Sequence, residues 1–216
     1  PVNRLITSDE AYDLLAMTRD VCARELRPRV DAAEKAAAAG EDFPSEVFTI
    51  LGRAGLLSLP HPEEYGGGGQ PYEVYLQVVE EIASAWMSVA VGVSVHSLTA
   101  FPVTTFGTEA QKEALLPGML SGDQLGAYAL SEPDAGSDVA SMTTGARATT
   151  DGEPTAYEIT GRKSWISHAG HADYYTTFAR TADTGAKGIS CFIVPADAAG
   201  LSFGPPERKM GLDCDT

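Results

Sequence analysis

The chain has 216 residues, with 30 acidic and 15 basic side chains and a formal net charge of −15 at pH 7. This acidity argues against nucleic-acid binding, because contact with phosphates requires clustered Lys and Arg. The three cysteines are Cys22, Cys191 and Cys214, and their wide spacing matches neither a disulfide framework nor a zinc site.

The amino terminus is predicted to start with a helix rather than a targeting signal. Residues 1–9 lack the basic and apolar regions of a signal peptide. A T-x-x-E capping box at Thr7 predicts a helix that Pro28 bends or breaks and that Gly40 ends. A second helix, with a proline in its first turn, is expected over residues 44–55.

A glycine run follows at residues 66–69. Such a run can hold phosphate when a Lys and a Ser or Thr follow it, but here Gln70 and Pro71 follow. We therefore interpret this stretch as a flexible connector rather than a nucleotide-binding loop.

Apolar residues at helical spacing predict a third helix over residues 72–95 and a fourth over residues 98–106. A fifth is predicted over residues 108–120, with Thr108 as its N-cap and Pro117 bending or shortening it. His96 is expected at a helix end.

From the sequence we expect no membrane-spanning run, since the apolar stretch 82–95 is too short to cross a bilayer and suits a buried helix. These features predict a cytoplasmic protein with no membrane contact.

After Gly122 the composition shifts towards Thr, Ser and Gly, which indicates strands. Asp151-Gly152 is a hairpin signal, the alternation from Tyr174 predicts a half-buried strand, and Cys191 is expected to be a buried thiol. We predict strands over residues 124–130, 143–150, 155–166, 174–179, 189–194 and 201–203.

These elements together predict an α+β fold. An all-α helical bundle domain over residues 1–121 is expected to precede a small β-barrel or sandwich domain over residues 122–216. The chain shows no closing element after its last strand, so we expect that it is a fragment of a longer protein.

His168 and His171 are three residues apart and could share a metal on one helical turn. Small residues surround them, and no cluster of Cys or carboxylates joins them, so we predict no metal site. A hydrolase is also disfavoured, because the sequence has no G-x-S-x-G elbow.

The segment Tyr128-Ala-Leu-Ser-Glu-Pro-Asp-Ala-Gly-Ser-Asp138 leaves a predicted strand and turns at a proline. Its consecutive amides and Ser137 could form a backbone nest that holds a pyrophosphate. Because Ser, Pro, Asp and Gly are also common turn residues, composition alone favours an ordinary polar turn.

A second segment is Gly161-Arg-Lys-Ser-Trp-Ile-Ser167. Trp165 could be a flat wall for an aromatic ligand, and Ser167 could donate or accept a hydrogen bond. Taken alone, however, this segment favours a strand with a core tryptophan.

The two segments, in this order and separation, resemble the acyl-CoA dehydrogenase family. Further stretches agree with the family pattern, and the similarity covers nearly the whole chain: Pro62-Glu-Glu-Tyr-Gly-Gly67, Phe106-Gly-Thr-Glu-Ala-Gln-Lys112, Gly188-Ile-Ser-Cys-Phe-Ile-Val194 and Glu207-Arg-Lys-Met-Gly211.

This resemblance implies a helical first domain, a β middle domain and a second helical domain after it, with FAD between the last two. The carboxy-terminal helical domain is expected to be missing from this chain. The cofactor residues implied by the resemblance are Tyr128, Leu130 and Ser131 along the flavin ring, Gly136 and Ser137 at the pyrophosphate, Trp165 and Ile166 against the isoalloxazine, and Ser167 near its N5. Ser137 and Asp138 are implied at the edge of the substrate site.

The reaction that the resemblance implies is α,β-dehydrogenation of an acyl-CoA thioester. A carboxylate removes the α-proton while the β-hydrogen leaves as a hydride to flavin N5. The base in the family is a Glu of the second helical domain, and none of Glu132, Glu153 or Glu158 is expected to replace it. Glu132 is expected to be structural, and the chain alone is expected to be inactive.

The resemblance also implies an acyl-CoA substrate, an electron-transferring flavoprotein as oxidant and a homotetramer. Two alternatives remain open. A family member that lost its base would be a non-catalytic flavin or acyl-CoA binding homologue. An unrelated interaction protein would bind no flavin, and its Trp165 would be buried.

Overall fold

The computed structural model describes residues 6, 8–39, 43–149 and 156–212. Within these ranges helices precede a sheet, which confirms the predicted α+β order. The helices are α1 (Asp9–Val21), α2 (Val30–Ala38), α3 (Ser45–Arg53), α4 (Tyr72–Ala85), α5 (Met87–Phe106) and α6 (Glu109–Ser121). The strands are β1 (Gly126–Ala129), β2 (Gly145–Ala148), β3 (Tyr157–Thr160), β4 (Tyr174–Arg180) and β5 (Ile189–Pro195).

Helix α1 is capped by Ser8, whose Oγ accepts a hydrogen bond from the Ala11 N–H at 3.2 Å. The predicted cap Thr7 and the predicted stop Gly40 lie outside the described residues. After α1 the chain forms a π-helical turn, and α2 begins only after Pro28. The predicted break is thus confirmed, because proline lacks an amide hydrogen and crowds the preceding turn.

The glycine-rich connector is held by its own backbone. The amides of Gly67, Gly68 and Gly69 all donate to carbonyl oxygens of residues 58–62. A Cβ on Gly67 would collide with the His61 carbonyl oxygen, so only glycine permits this close approach. The stretch connects α3 to α4 as predicted, and its amides are engaged by hydrogen bonds within the loop.

The helix predicted over residues 72–95 is in fact two helices, which meet at Trp86. Trp86 is extended, with φ of −156°, and its indole N–H donates to the Glu34 carboxylate at 2.6 Å. The same carboxylate accepts a hydrogen bond from the Ser88 hydroxyl at 2.6 Å, in the first turn of α5. Apolar residues continue through the break, so periodicity alone could not reveal it.

Helix α5 runs without interruption through Pro102 to its end at Phe106. The predicted fourth helix is therefore its second half, and His96 lies in mid-helix rather than at an end. Contrary to the sequence expectation, α5 is long and apolar enough to cross a membrane by length and composition alone. Half of it is buried against α4, α6, β1 and β4, as in a core helix, so this is weak evidence for membrane insertion.

Helix α6 begins as predicted. The Thr108 hydroxyl accepts from the Gln111 N–H at 3.3 Å, and the Gln111 side chain accepts from the Thr108 N–H at 2.9 Å. This reciprocal capping box satisfies two amides of the first turn. Pro117 lies inside the helix without ending it, and the helix stops at Gly122, whose φ is 79°.

The described strands form one mixed five-stranded sheet with β4 at its centre. β1 pairs with β4 in parallel, and β2 pairs in parallel with the end of β4. β5 runs antiparallel along the other edge of β4. β3 pairs antiparallel with β2, as the hairpin prediction required, although Asp151-Gly152 lies outside the described residues.

Three expectations for the sheet are wrong. Residues 174–177 of β4 are all buried, because α5 covers the strand and other strands flank it, so the strand is not half-buried. Cys191 is exposed, since β5 is an outer strand of the described sheet with one face towards solvent. Residues 201–203 form no strand, and the Phe203 ring instead stacks on Tyr175 at 5.4 Å.

Candidate functional site

A buried ion pair joins the two segments that the sequence singles out. Lys163 Nζ lies 2.8 Å from Glu132 Oε1, and the two side chains are 11% and 4% exposed. Lys163 also donates to the Leu130 carbonyl at 3.0 Å, and the Ser164 N–H donates to the Ser131 carbonyl at 2.9 Å. The turn after β1 and the loop after β3 therefore form one structural unit.

Glu132 is the centre of this unit. One carboxylate oxygen accepts from the N–H and the hydroxyl of Thr143, at 2.7 and 2.9 Å, and the other accepts from the Thr144 N–H at 3.0 Å. Burial by itself raises the pKa of Glu132, but the hydrogen bonds from Lys163 and the two threonines outweigh it and lower the pKa to about 2. A carboxylate held in this way is a structural anion and a poor base.

The turn is fixed at its base and open at its tip. Glu132 and Ala135 exchange two backbone hydrogen bonds, of 3.0 and 3.2 Å, across the two residues between them. Gly136 and Ser137 follow and are exposed, and a Cβ on Gly136 would meet nothing within 4 Å. Open backbone amides next to a serine hydroxyl are suited to a phosphate group.

Trp165 lies on the second segment, beyond the end of β3. Its side chain is 64% exposed, which excludes the alternative of a core tryptophan in a strand. Its φ is 57°, in the left-handed region that non-glycine residues rarely adopt. Ile166 and Ser167, which follow it, are half-buried. The loop thus presents one flat aromatic side chain outward from an anchored backbone.

The remaining predicted site residues lie on the same stretch of chain but differ in their surroundings. Tyr128 is half-buried in β1 with its ring centroid 5.2 Å from that of Phe178, and burial raises the pKa of its hydroxyl. Asp138 is exposed, but its carboxylate accepts from the Ser141 hydroxyl at 2.7 Å and so closes a short turn.

The two histidines face different surroundings. His168 is 1% exposed and its Nδ1–H donates to the Gly126 carbonyl at 2.8 Å, whereas His171 is exposed and stacks on Phe43 at 4.6 Å. Among the described residues no group of three His, Cys, Asp or Glu side chains is placed to hold a metal ion.

The residues of this unit fit a flat ligand that carries phosphates, such as FAD. Trp165 offers an exposed aromatic face, while Gly136 and Ser137 offer exposed backbone and a hydroxyl. A shallow depression of about 260 Å³ is formed by residues of the β2–β3 hairpin, among them Arg147, together with Arg180 of β4. It shares no residue with the predicted site.

Sequence reasoning missed the residues that hold the site together. Thr143 and Thr144 bind Glu132 from 11 and 12 residues away, and no local pattern marks them. Lys163 lies inside the second segment, and its position there is a usable signal, although its partner could not be chosen among many carboxylates.

Comparison with known proteins gives matches over nearly the whole chain. The family model described as "Acyl-CoA dehydrogenase, N-terminal domain" matches residues 8–123, and "Acyl-CoA dehydrogenase, middle domain" matches residues 127–216. An acyl-CoA dehydrogenase of Bacillus subtilis (strain 168) is 40% identical over 207 residues, which are 95% of this chain and 52% of the relative.

Two solved structures are similar in fold. Butyryl-CoA dehydrogenase from Megasphaera elsdenii superposes with a TM-score of 0.88 at 33% identity, over 99% of this chain and 55% of that protein. Glutaryl-CoA dehydrogenase from Mycobacterium smegmatis in complex with FADH2 gives a TM-score of 0.85 at 30% identity, over 97% of this chain and 51% of that protein. The chain spans about half the length of these relatives. It belongs to the acyl-CoA dehydrogenase family and comprises the N-terminal and middle domains of that family.

Proposed function

We propose that the full-length protein catalyses FAD-dependent α,β-dehydrogenation of an acyl-CoA thioester. The observation that carries this proposal is the ion pair between Glu132 and Lys163, which brings the turn with Gly136 and Ser137 next to the loop with Trp165. A similar structure was solved in complex with FADH2, which supports FAD as the cofactor.

In this proposal the chain's own residues bind and orient. Trp165 packs against the isoalloxazine, with Ile166 beside it, and the Ser167 hydroxyl binds near flavin N5. Tyr128, Leu130 and Ser131 line the ring. Those roles follow from the family resemblance, and the exposed indole of Trp165 on an anchored loop supports them. When bound, FAD supplies the acceptor for the two electrons and the β-hydrogen of the substrate.

The phosphate side is assigned to the open tip of the turn. Gly136 and Ser137 are proposed to meet the pyrophosphate, and Ser137 with Asp138 to reach the edge of the acyl-CoA site. The free space at Gly136 and the exposure of Ser137 support this assignment. The Asp138 carboxylate is already engaged by Ser141, so its backbone is the better candidate for substrate contact.

The base that removes the α-proton is proposed to be a Glu beyond this chain. Glu132 cannot serve, because its carboxylate is committed to Lys163 and two threonines and its pKa is lowered to about 2. Glu158 pairs with Arg147 at 2.7 Å on the β2–β3 hairpin, where both side chains are exposed. Glu153 lies outside the described residues.

The same proposal includes an electron-transferring flavoprotein as oxidant, a homotetramer, a cytoplasmic location and a domain boundary between residues 121 and 122. The last described α-helix ends at Ser121 and the first described strand begins at Gly126, which supports that boundary.

Visible spectroscopy of the purified full-length protein tests the proposal. We expect a flavin absorption band that bleaches when an acyl-CoA is added without oxygen. A flavin band that no acyl-CoA bleaches would favour the non-catalytic homologue, and a colourless protein that takes up no FAD would reject both readings.

Replacing Trp165 tests its assignment. Because its side chain is 64% exposed, Trp165→Ala should leave the free energy of unfolding of the flavin-free protein nearly unchanged. It should weaken FAD binding about tenfold or more, since the packing of the indole against the isoalloxazine is lost. Titration of flavin-free protein with FAD measures this, and exposed Tyr157→Ala on β3 is the control. Equal FAD affinities of the two variants would contradict the assignment.

A further inference from the structure

His168 connects the Trp165 loop to the interior of the molecule. Its ring is 1% exposed, and Nδ1 lies 2.8 Å from the Gly126 carbonyl oxygen in β1. A carbonyl oxygen only accepts, so Nδ1 carries the hydrogen. Burial lowers the pKa of His168 to about 4, so the ring is neutral at pH 7 and keeps this tautomer.

The ring also contacts the helical domain. It makes edge contacts with Phe43 and Phe48 at centroid distances of 5.6 and 5.0 Å. A Cβ on Gly92 of α5 would lie 2.6 Å from His168 Nε2, so the ring lies directly over the helix backbone. His168 therefore reaches across the junction between the two domains from the loop that carries Trp165 and Ser167.

The backbone of this loop needs such an anchor. Both Trp165 and His168 have positive φ, 57° and 67°, a conformation that costs about 1 kcal/mol for a residue with a side chain. The backbone carbonyl of His168 accepts from the amides of His171 and Ala172, at 3.0 and 2.9 Å. The side chain and carbonyl of His168 thus hold one end of the loop, and Lys163 with Ser164 hold the other.

We propose that His168 is a positioning residue for the cofactor site: its Nδ1–H bond to Gly126 sets the orientation of Trp165 and Ser167 three and one residues earlier. The role in cofactor binding rests on the proposed function, but the orientation of Trp165 can be measured without flavin.

Three variants separate the hydrogen bond from other effects of the ring. His168→Asn keeps an N–H donor at the δ position and tolerates a left-handed backbone. His168→Leu keeps the apolar volume and loses the donor. His168→Gly relaxes the backbone and also lacks the donor, and it serves if the Leu variant does not fold. His171→Asn controls for the loss of a ring contact with Phe43, since the His171 ring is exposed and stacks on Phe43.

The readout is ¹⁹F NMR of flavin-free, full-length protein labelled with 5-fluorotryptophan. The resonances of Trp165 and Trp86 are assigned by their loss in Trp165→Phe and Trp86→Phe. Trp86 is 2% exposed in the helical domain and reports whether each variant is folded. We expect the Trp165 resonance to shift or broaden in His168→Leu and His168→Gly, with Trp86 unchanged, and both to stay in place in His168→Asn and His171→Asn.

The dissociation constant of FAD gives the second readout. We expect it to rise about tenfold in His168→Leu and His168→Gly, the effect of one lost buried hydrogen bond, and to stay within about twofold in His168→Asn. An unmoved Trp165 resonance in both donor-free variants would overturn the proposal, and so would a shift in His168→Asn equal to theirs or a matching shift of Trp86. If the wild type binds no FAD, the proposed function fails, while the NMR result still decides the role of His168.

Discussion

At the scale of single residues, the site depends on one buried charge pair. Glu132 receives hydrogen bonds from Lys163, Thr143 and Thr144, so its charge is fully compensated. Removing one partner of a buried pair costs much more than the pair itself contributes, because the other charge stays buried without compensation.

Lys163→Met should therefore lower the free energy of unfolding by about 3–5 kcal/mol, measured by urea denaturation at pH 7. Arg147→Met is the matched control, because Arg147 and Glu158 form an ion pair with side chains 82% and 60% exposed. It should change stability little, since exposed pairs contribute little. The double variant Glu132→Gln with Lys163→Met should lose less than Lys163→Met alone. Similar losses of unfolding free energy in Lys163→Met and Arg147→Met would contradict this prediction, because the buried pair would then matter no more than the exposed one.

At the scale of elements, α5 carries a buried histidine, His96, whose two hydrogen bonds require a neutral ring. The Gly126 N–H donates to His96 Nδ1 at 3.1 Å, so Nε2 carries the hydrogen and donates to the Met119 carbonyl at 2.8 Å. Burial lowers the pKa of His96 from 6.5 to about 4. Protonation at Nδ1 would break the bond to Gly126, which links α5 to β1.

Because the unfolded chain binds this proton more tightly than the folded chain, stability should fall as the pH drops from about 6.5 towards 4. For a shift from 6.5 to about 4, the loss between pH 7 and pH 5 is about 2 kcal/mol for His96 alone. Urea denaturation at several pH values measures it. His96→Gln, which has both an acceptor and a donor, should lessen the loss of stability without abolishing it, because burial also lowers the pKa values of His168 and His61. A wild-type curve that is flat between pH 7 and pH 5 would contradict this account.

At the scale of the whole molecule, α5 is shared by both domains. The Thr99 hydroxyl bonds the Tyr174 hydroxyl at 2.7 Å, and the Thr176 hydroxyl donates to the Thr99 carbonyl at 2.8 Å. Gly126 lies at this junction, where a Cβ would collide with the Thr99 hydroxyl oxygen and come within 2.6 Å of Tyr174. The two domains therefore pack closely at Gly126, with no room there for a Cβ.

Gly126→Ala should destabilise the protein by about 1–3 kcal/mol, the usual cost of overpacking. The resonances of Trp86 and Trp165 should disappear at the same urea concentration, in the wild type and in the variant, because the shared helix couples both domains. Gly136→Ala is the control, since its Cβ would meet nothing within 4 Å. Two separate transitions in the wild type would refute the coupling, and equal stability of the two variants would refute the overpacking at Gly126.

Local patterns in the sequence were enough to predict the order of helices and strands, the cap at Thr108 and the break at Pro28, because propensity and capping act over a few residues. The family was also readable from the sequence, and so were the two segments that are candidates for the site. The helix break at Trp86 was not, since it depends on a hydrogen bond to Glu34, 52 residues earlier in the chain.

Only the tertiary structure decided how the site is held. The partners of Glu132, the exposure of Trp165 and the position of His168 between α5 and β1 arise from contacts between residues far apart in the sequence. A carboxylate or an imidazole has many possible partners along a chain, and only packing selects one. The sequence by itself therefore determined which residues are candidates, and the fold determined their neighbours, because burial and hydrogen bonding are properties of distance in space.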